Sequence, residues 1–317
     1  MDSDDFPVQL EDIRLRRDLI EEGWTDRDIA RQVRLGTLAR VRYGAYVSAS
    51  LVVHLDAVGR MRVRSRAVLK TTHPSSVLSH QASLAEWGEP LWGLPLDAVD
   101  LTRTDGRAGR REAGIVHHRA NLPADDWTVR NGVPVVVPAR AAIEVILTHR
   151  PEVGLVTACG VLSRGHATSG DLRSAAKAAQ RWPNSLHARI VLARADHRLT
   201  SVAEARTWQL FHDRGIPRPE PQVKVHDEFG ALLGIVDFLW RKAGVFLEFD
   251  GRLKYEQFRR PGETLEQYLM REKRREELIC QVTGWVCIRI TWADLENPVR
   301  TARRISQLLS GRTKPAA

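Results

Sequence analysis

Apolar positions in the first fifty residues fall into short helical groups separated by glycines. Ile13, Leu15, Leu19 and Ile20 predict a helix over 11–22, with Gly23 just past its end. Thr25 caps a second helix, and Asp28 three residues on completes a short capping box. Ile29, Ala30 and Val33 form its apolar side, while Arg27, Arg31 and Arg34 recur at i, i+4 and i+7 on another. Gly36 stops this helix, and 38–42 and 45–47 read as two short strands around Tyr43-Gly44. Helix, turn, helix, hairpin is the order of a winged helix-turn-helix, expected over 1–50. A helix with one arginine face suits a major groove, and Arg40 and Arg42 on the hairpin would reach adjacent phosphates. The plainer alternative is a solvated arginine face on a small helical domain.

The middle segment, 51–195, reads as mixed α+β. Strand patterns at 98–102 and 114–118 flank a Gly/Arg-rich turn at 105–111. A third strand at 133–137 leads into a helix at 139–148, and further helices are expected at 153–164, 169–180 and 187–194. His80, His117 and His118 stand out. Two adjacent histidines on a strand point to opposite faces, a poor metal pair by themselves, so these are expected to be structural or surface residues.

The third segment, 196–317, has the α/β pattern that carries chemistry. Thr200-Ser201 caps a helix running to about Asp213 that contains Glu204 and Trp208. Strands follow at 222–225 and 232–240, then the turn 241–244, then a strand at 245–250 that is apolar apart from two acids. If Trp240 pairs with Val245 across the four-residue turn, Asp237 falls opposite Glu248. Asp250 then lies two residues further on the same face. Three carboxylates on one sheet face repel, and Mg²⁺ (or Mn²⁺) is a natural compensator for oxygen ligands. A one-residue slip would instead move Asp237 to the other face. Lys254 follows four residues after Asp250; an ammonium there could stabilise charge building on a phosphate.

Charge narrows the function classes. The chain has 317 residues and a formal net charge of +9. The stretch 27–66 holds nine arginines against Asp28 and Asp56, so most of the excess lies in and after the predicted winged helix. That balance favours nucleic acid as partner. A hydrophobic content of 43% fits a globular protein, and no apolar run reaches the ~18–20 residues of a membrane span. The acidic start has no apolar signal region, and Cys159, Cys280 and Cys287 form no CxxC pair, so a reducing cytoplasm is expected.

Two resemblances add to this reading. Gly23-Trp24-Thr25 and the run from Leu35 to Val47 resemble the N-terminal domain of AbiEi-type antitoxins, the run looking like the family's wing. Residues 77–83 and the "GVPVVVPAR" stretch are similar to the region that follows it in AbiEi-like proteins. The family implies a DNA-binding transcriptional autoregulator, and full antitoxins pair with a nucleotidyltransferase toxin as partner protein. Residues 234–238 and 245–251 resemble the "G-x-x-D-F … E-x-D-G" motif of the PD-(D/E)XK nuclease superfamily, in its very-short-patch-repair-like branch. That resemblance implies a restriction-endonuclease-like core with Asp237 and Glu248 as metal ligands, Asp250 assisting, Glu204 completing the acidic set and Lys254 near the scissile phosphate. Asp250 occupies the strict lysine position of the motif, and Lys254 falls where relatives often carry histidine. The leading expectation is a DNA-binding, Mg²⁺-dependent endonuclease of phage defence or repair. The alternative is a non-catalytic regulator or antitoxin with a degenerate nuclease fold, and RNA cleavage is a third option.

Overall fold

A computed structural model describes residues 6–107, 113–251, 260 and 262–313. Among these it is a mixed α/β protein with twelve α-helices and three sheets. The chain divides into two compact units, 1–195 and 196–317.

The first unit opens with β1 (Arg14–Leu15), α1 (Arg16–Glu21), α2 (Asp26–Arg34), β2 (Leu38–Arg42) and β3 (Ala45–Ser48). β3 lies between β1 and β2. The helix expected over 11–22 is therefore cut to six residues. Ile13 and Leu15, two apart, are both buried against Ala45 and Val47, and burial at that spacing is met by extended chain beside β3 rather than by a helix. α2 forms as expected: the Thr25 hydroxyl accepts from the Asp28 amide at 3.2 Å, and Asp28 accepts from the Thr25 amide at 2.9 Å. Gly36, with φ +73°, takes the left-handed turn that ends it.

Next come α3 (Ala57–Leu69), β4 (Ser76–Leu78), α4 (His80–Glu86), β5 (Val99–Arg103), β6 (Ile115–His118), β7 (Trp127–Arg130) and β8 (Val133–Val136). Helices α5 (Pro138–Thr148), α6 (Pro151–Ser163), α7 (Ser169–Ala178) and α8 (Ser185–Leu192) complete the unit. The five-stranded sheet runs β6-β5-β4-β8-β7. β5 and β6 pair in parallel, not as the antiparallel hairpin that strands flanking a turn suggest. Val63 and Ala67 of α3 share one core cluster with Phe6, Ile13, Leu15 and Val47, so the expected boundary near residue 50 falls inside a common core.

The second unit contains α9 (Val202–Asp213), β9 (Glu220–His226), β10 (Leu232–Trp240), β11 (Val245–Phe249), α10 (Leu265–Thr283), β12 (Val286–Ile290), α11 (Trp292–Leu295) and α12 (Pro298–Thr313). Its sheet runs β12-β11-β10-β9, antiparallel except for the parallel β11–β12 pair. One sheet face packs on α9, where Phe211 meets Phe238 and Trp240 edge-on, each at 5.1 Å between centroids. The other holds Val225, Val236, Leu239 and Phe246 against Ile279 of α10.

Candidate nucleic-acid interface and carboxylate site

In the N-terminal part, arginines divide into paired and unpaired. Arg16 meets Asp26 at 2.6 Å and Arg14 pairs with Glu22, which ties α1 to the residues after it. Arg27, Arg31, Arg34 and Arg40 are exposed, and among the described residues none forms a salt bridge, although after the Thr25 hydrogen bonds the charge of Arg31 helps to hold the Asp28 carboxyl below its usual range. Arg34 Nε donates to the Ala30 carbonyl of its own helix at 3.4 Å. Arg40 lies 5.5 Å from the ring centroid of Tyr43, which is 85% exposed at the hairpin turn. Arg42 differs: it is half-buried and donates to the Thr71 hydroxyl beyond the end of α3 at 3.1 Å. The five arginines expected at DNA therefore separate into four outward-facing ones and one turned back onto the body of the unit.

In the second unit the β10–β11 register is the one expected, with Trp240 opposite Val245 and Phe238 opposite Leu247. The alternation of side chains nevertheless slips within β10. Val236 and Leu239, an odd number of residues apart, both join the α10-side cluster, whereas Phe238 faces α9. Opposite this point Gln222 has φ +51°, left-handed backbone that is uncommon outside glycine and that re-aims the strand locally. Asp237 consequently reaches toward α9. The Gln222 amide lies 3.5 Å from Asp237 Oδ1 and donates to Glu204 Oε2 at 3.1 Å. Asp237 Oδ2 accepts the Phe249 N–H at 2.8 Å. Glu204 is held further by the Ser201 hydroxyl at 2.7 Å and the Thr200 N–H at 2.9 Å.

Glu248 turns the other way, to α10, where it meets Arg275 at 2.6 Å. Arg275 lies across Gly234: a Cβ there would sit 3.0 Å from its Nη1, so the absent side chain gives the guanidinium its route to Glu248. Burial works against the charge of Arg275, but Glu248 and Glu272 outweigh it and raise its pKa. Asp250 lies 3.7 Å from Arg289, which also pairs with Glu276. Lys254 lies outside the described residues.

The expectation of Asp237, Glu248 and Asp250 together on one face is thus changed in its geometry. Glu204 and Asp237 converge through Gln222, while Glu248 and Asp250 look to arginines of α10 and β12. As oxygen donors these carboxylates suit Mg²⁺ in kind. Among the described residues, the groups of three potential ligands within 4.8 Å of one another are Glu248–Glu276–Cys287 and, in the first unit, His80–Asp100–His118. Burial, and then Glu248, push the Cys287 thiol well above its usual range.

The histidine group was not legible in the sequence as a site. His80 opens α4, and Asp100 and His118 lie on neighbouring parallel strands, where Asp100 pairs with Val116 and Thr102 with His118. Only the β4-β5-β6 arrangement brings them together. Two protein-level comparisons add no relative: no protein-family model matches the chain, and no curated protein matches it.

Proposed function

We propose that this chain binds double-stranded DNA through α2 and the β2–β3 hairpin. The observation that carries this is the set of exposed arginines, Arg27, Arg31, Arg34 and Arg40, none in a salt bridge among the described residues although neighbouring arginines are. A guanidinium not held in a salt bridge is available to phosphate oxygens, and each one engaged releases counterions from the duplex. The exposed Arg40–Tyr43 pair at the hairpin gives a second point of contact to a backbone beside the groove. The test is anisotropy of labelled duplexes with the full chain, comparing DNA from upstream of its own gene with an unrelated duplex of equal length. Wild type is expected to bind, and Arg31→Ala plus Arg34→Ala to bind far more weakly. Unchanged binding by the folded double variant would remove α2 from the interface.

A second reading, phosphodiester hydrolysis in the second unit, is favoured by one specific observation. Glu204 and Asp237, 3% and 8% exposed, share one amide donor at the point where the alternation of β10 slips. Buried carboxyl groups brought to one amide are a recurring feature of functional sites. Plasmid and linear DNA incubated with Mg²⁺ or Mn²⁺ would be nicked by wild type and spared by Asp237→Asn and Glu248→Gln. Intact plasmid with DNA binding retained would favour a non-catalytic regulator, for which a toxin protein is the partner to seek.

A further inference from the structure

We propose that the groove between α7 and α8 of the first unit docks an acidic amphipathic helix of a partner protein. The groove has a volume of about 890 Å³. On α7, Arg173, Ala176, Lys177 and Gln180 face it, recurring at i, i+3, i+4 and i+7. On α8, Leu186 and Arg189 face it at i and i+3, and Ala193 follows at i+7 just past the helix end. Leu162 of α6 and Leu172 of α7, 9% and 1% exposed, line its base. Ala179, Ala188 and Val191, on other sides of this helix pair, are buried in the core. Each helix therefore has one buried side and a second stripe, at the spacing of helix packing, that borders the groove.

Charge selects the sign of the occupant. From Arg164 to Ala195 the chain carries six basic residues against one acid, Asp171. Asp171 is engaged at the start of α7, where it accepts the Thr168 N–H at 2.8 Å and the Thr168 hydroxyl at 2.7 Å. Arg164, ahead of α7, pairs with Glu89 at 3.6 Å. The three cations that line the groove, Arg173, Lys177 and Arg189, are exposed, and none forms a salt bridge among the described residues. Carboxylates on a docked helix would supply the countercharge, and leucine-like side chains would cover Leu162, Leu172 and Leu186.

Shape selects a helix over a small anionic amphiphile. Sites for small ligands enclose about 70–90% of the ligand surface. Here the walls stay open, with Leu186 60% exposed. A helix with side chains, ~10 Å across and rising 5.4 Å per turn, fills roughly 400 Å³ per turn, so the groove accepts about two turns. An apolar base also offers nothing to a phosphate backbone, which sets this face apart from α2. The walls are fixed in advance. The Thr168–Asp171 box caps α7, the Asn184 amide before α8 donates to the Leu147 carbonyl of α5 at 2.9 Å, and Trp182 between the helices lies 4.7 Å from the Arg140 guanidinium. A preformed groove spares the partner the cost of ordering it.

The test is fluorescence anisotropy of the full chain with a labelled peptide that carries leucines at i, i+3, i+4 and i+7 and glutamates on the flanking positions. Saturable binding is expected, and a scrambled peptide of the same composition should bind about tenfold more weakly or worse. Arg173→Glu plus Lys177→Glu reverses two wall charges, and Ala176→Trp fills the groove without changing charge. Each should weaken the patterned peptide about tenfold or more. Should Ala176→Trp fail to fold, as judged by far-UV circular dichroism, Ala193→Trp on the exposed α8 side is read in its place. No saturable binding by wild type, or equal binding of the scrambled peptide, overturns the proposal. Weakening by the charge reversal alone, with the tryptophan variant unaffected, overturns it as well and leaves only a diffuse basic surface. Displacement of the peptide by dodecanoate would reassign the groove to a small anionic amphiphile. Loss of duplex DNA binding in the α7 charge variant would assign these cations to nucleic acid, again against the proposal.

Discussion

Glu86 is a fully buried charged side chain of the first unit. Its side chain and that of Arg66 are both fully buried and paired, with Arg62 joining at 2.8 Å and the Asn131 amide at 3.1 Å. The Phe6 ring lies 3.8 Å from the Arg62 guanidinium and 4.6 Å from that of Arg66, closing the pair from water. Burial opposes ionisation of Glu86, but Arg66 and Arg62 outweigh it and hold the carboxyl below its usual range. A lowered folded pKa adds stability above the unfolded value near 4.5, and that stability is lost as pH falls through the folded value. Glu86→Gln leaves Arg66 buried without a countercharge and is expected to cost about 3–5 kcal/mol at pH 7, read from urea unfolding, with the deficit vanishing toward low pH. A deficit that persists unchanged at low pH would assign the loss to packing instead. In the second unit, Asp237→Ala removes the acceptor of the Phe249 N–H and is expected to cost about 1–3 kcal/mol, where Asp237→Asn costs less. Equal unfolding midpoints for the two would show that this hydrogen bond contributes nothing.

At the scale of elements, local chemistry was most legible where a few neighbouring residues decide the outcome. The Thr25–Asp28 box, the glycine stop at Gly36 and the β10–β11 turn all lie where the sequence puts them, because each depends on contacts within a few residues. The extent of α1 was not legible. Leu15 and Leu19 share a helix face whereas Ile13 and Leu15 share a strand face, and only the position of β3 decides between the two patterns. The parallel pairing of β5 with β6 and the slip at Asp237 escaped for the same reason: both depend on partners distant in the chain. The α2 reading makes a quantitative demand of its own. If Arg31 and Arg34 each neutralise a phosphate, their joint replacement by alanine lowers the slope of log affinity against log salt by about 2. A weaker complex with an unchanged slope would mean that they do not touch the backbone.

At the scale of the whole molecule the chain is two units with separate cores. One joins α3 to the N-terminal sheet, and the other packs α9 and α10 on opposite faces of the second sheet. Fragments 1–195 and 196–317 are therefore each expected to fold alone, with circular dichroism spectra that sum to that of the intact chain. A fragment that is unfolded in isolation would contradict this. The sequence by itself determined the alternation of helical and strand patterns, the helix caps, the hairpin register and the concentration of arginine near the N-terminus. These follow from propensities and periodicities that act over a few residues. Tertiary structure alone decided which charges meet. It turned Glu248 to Arg275, joined Asp237 to Glu204 through Gln222, and gathered His80, Asp100 and His118 from a helix start and two strands. The physical reason is that a side chain's partner is set by the packing of elements across the core, a distance in sequence over which no local pattern carries information.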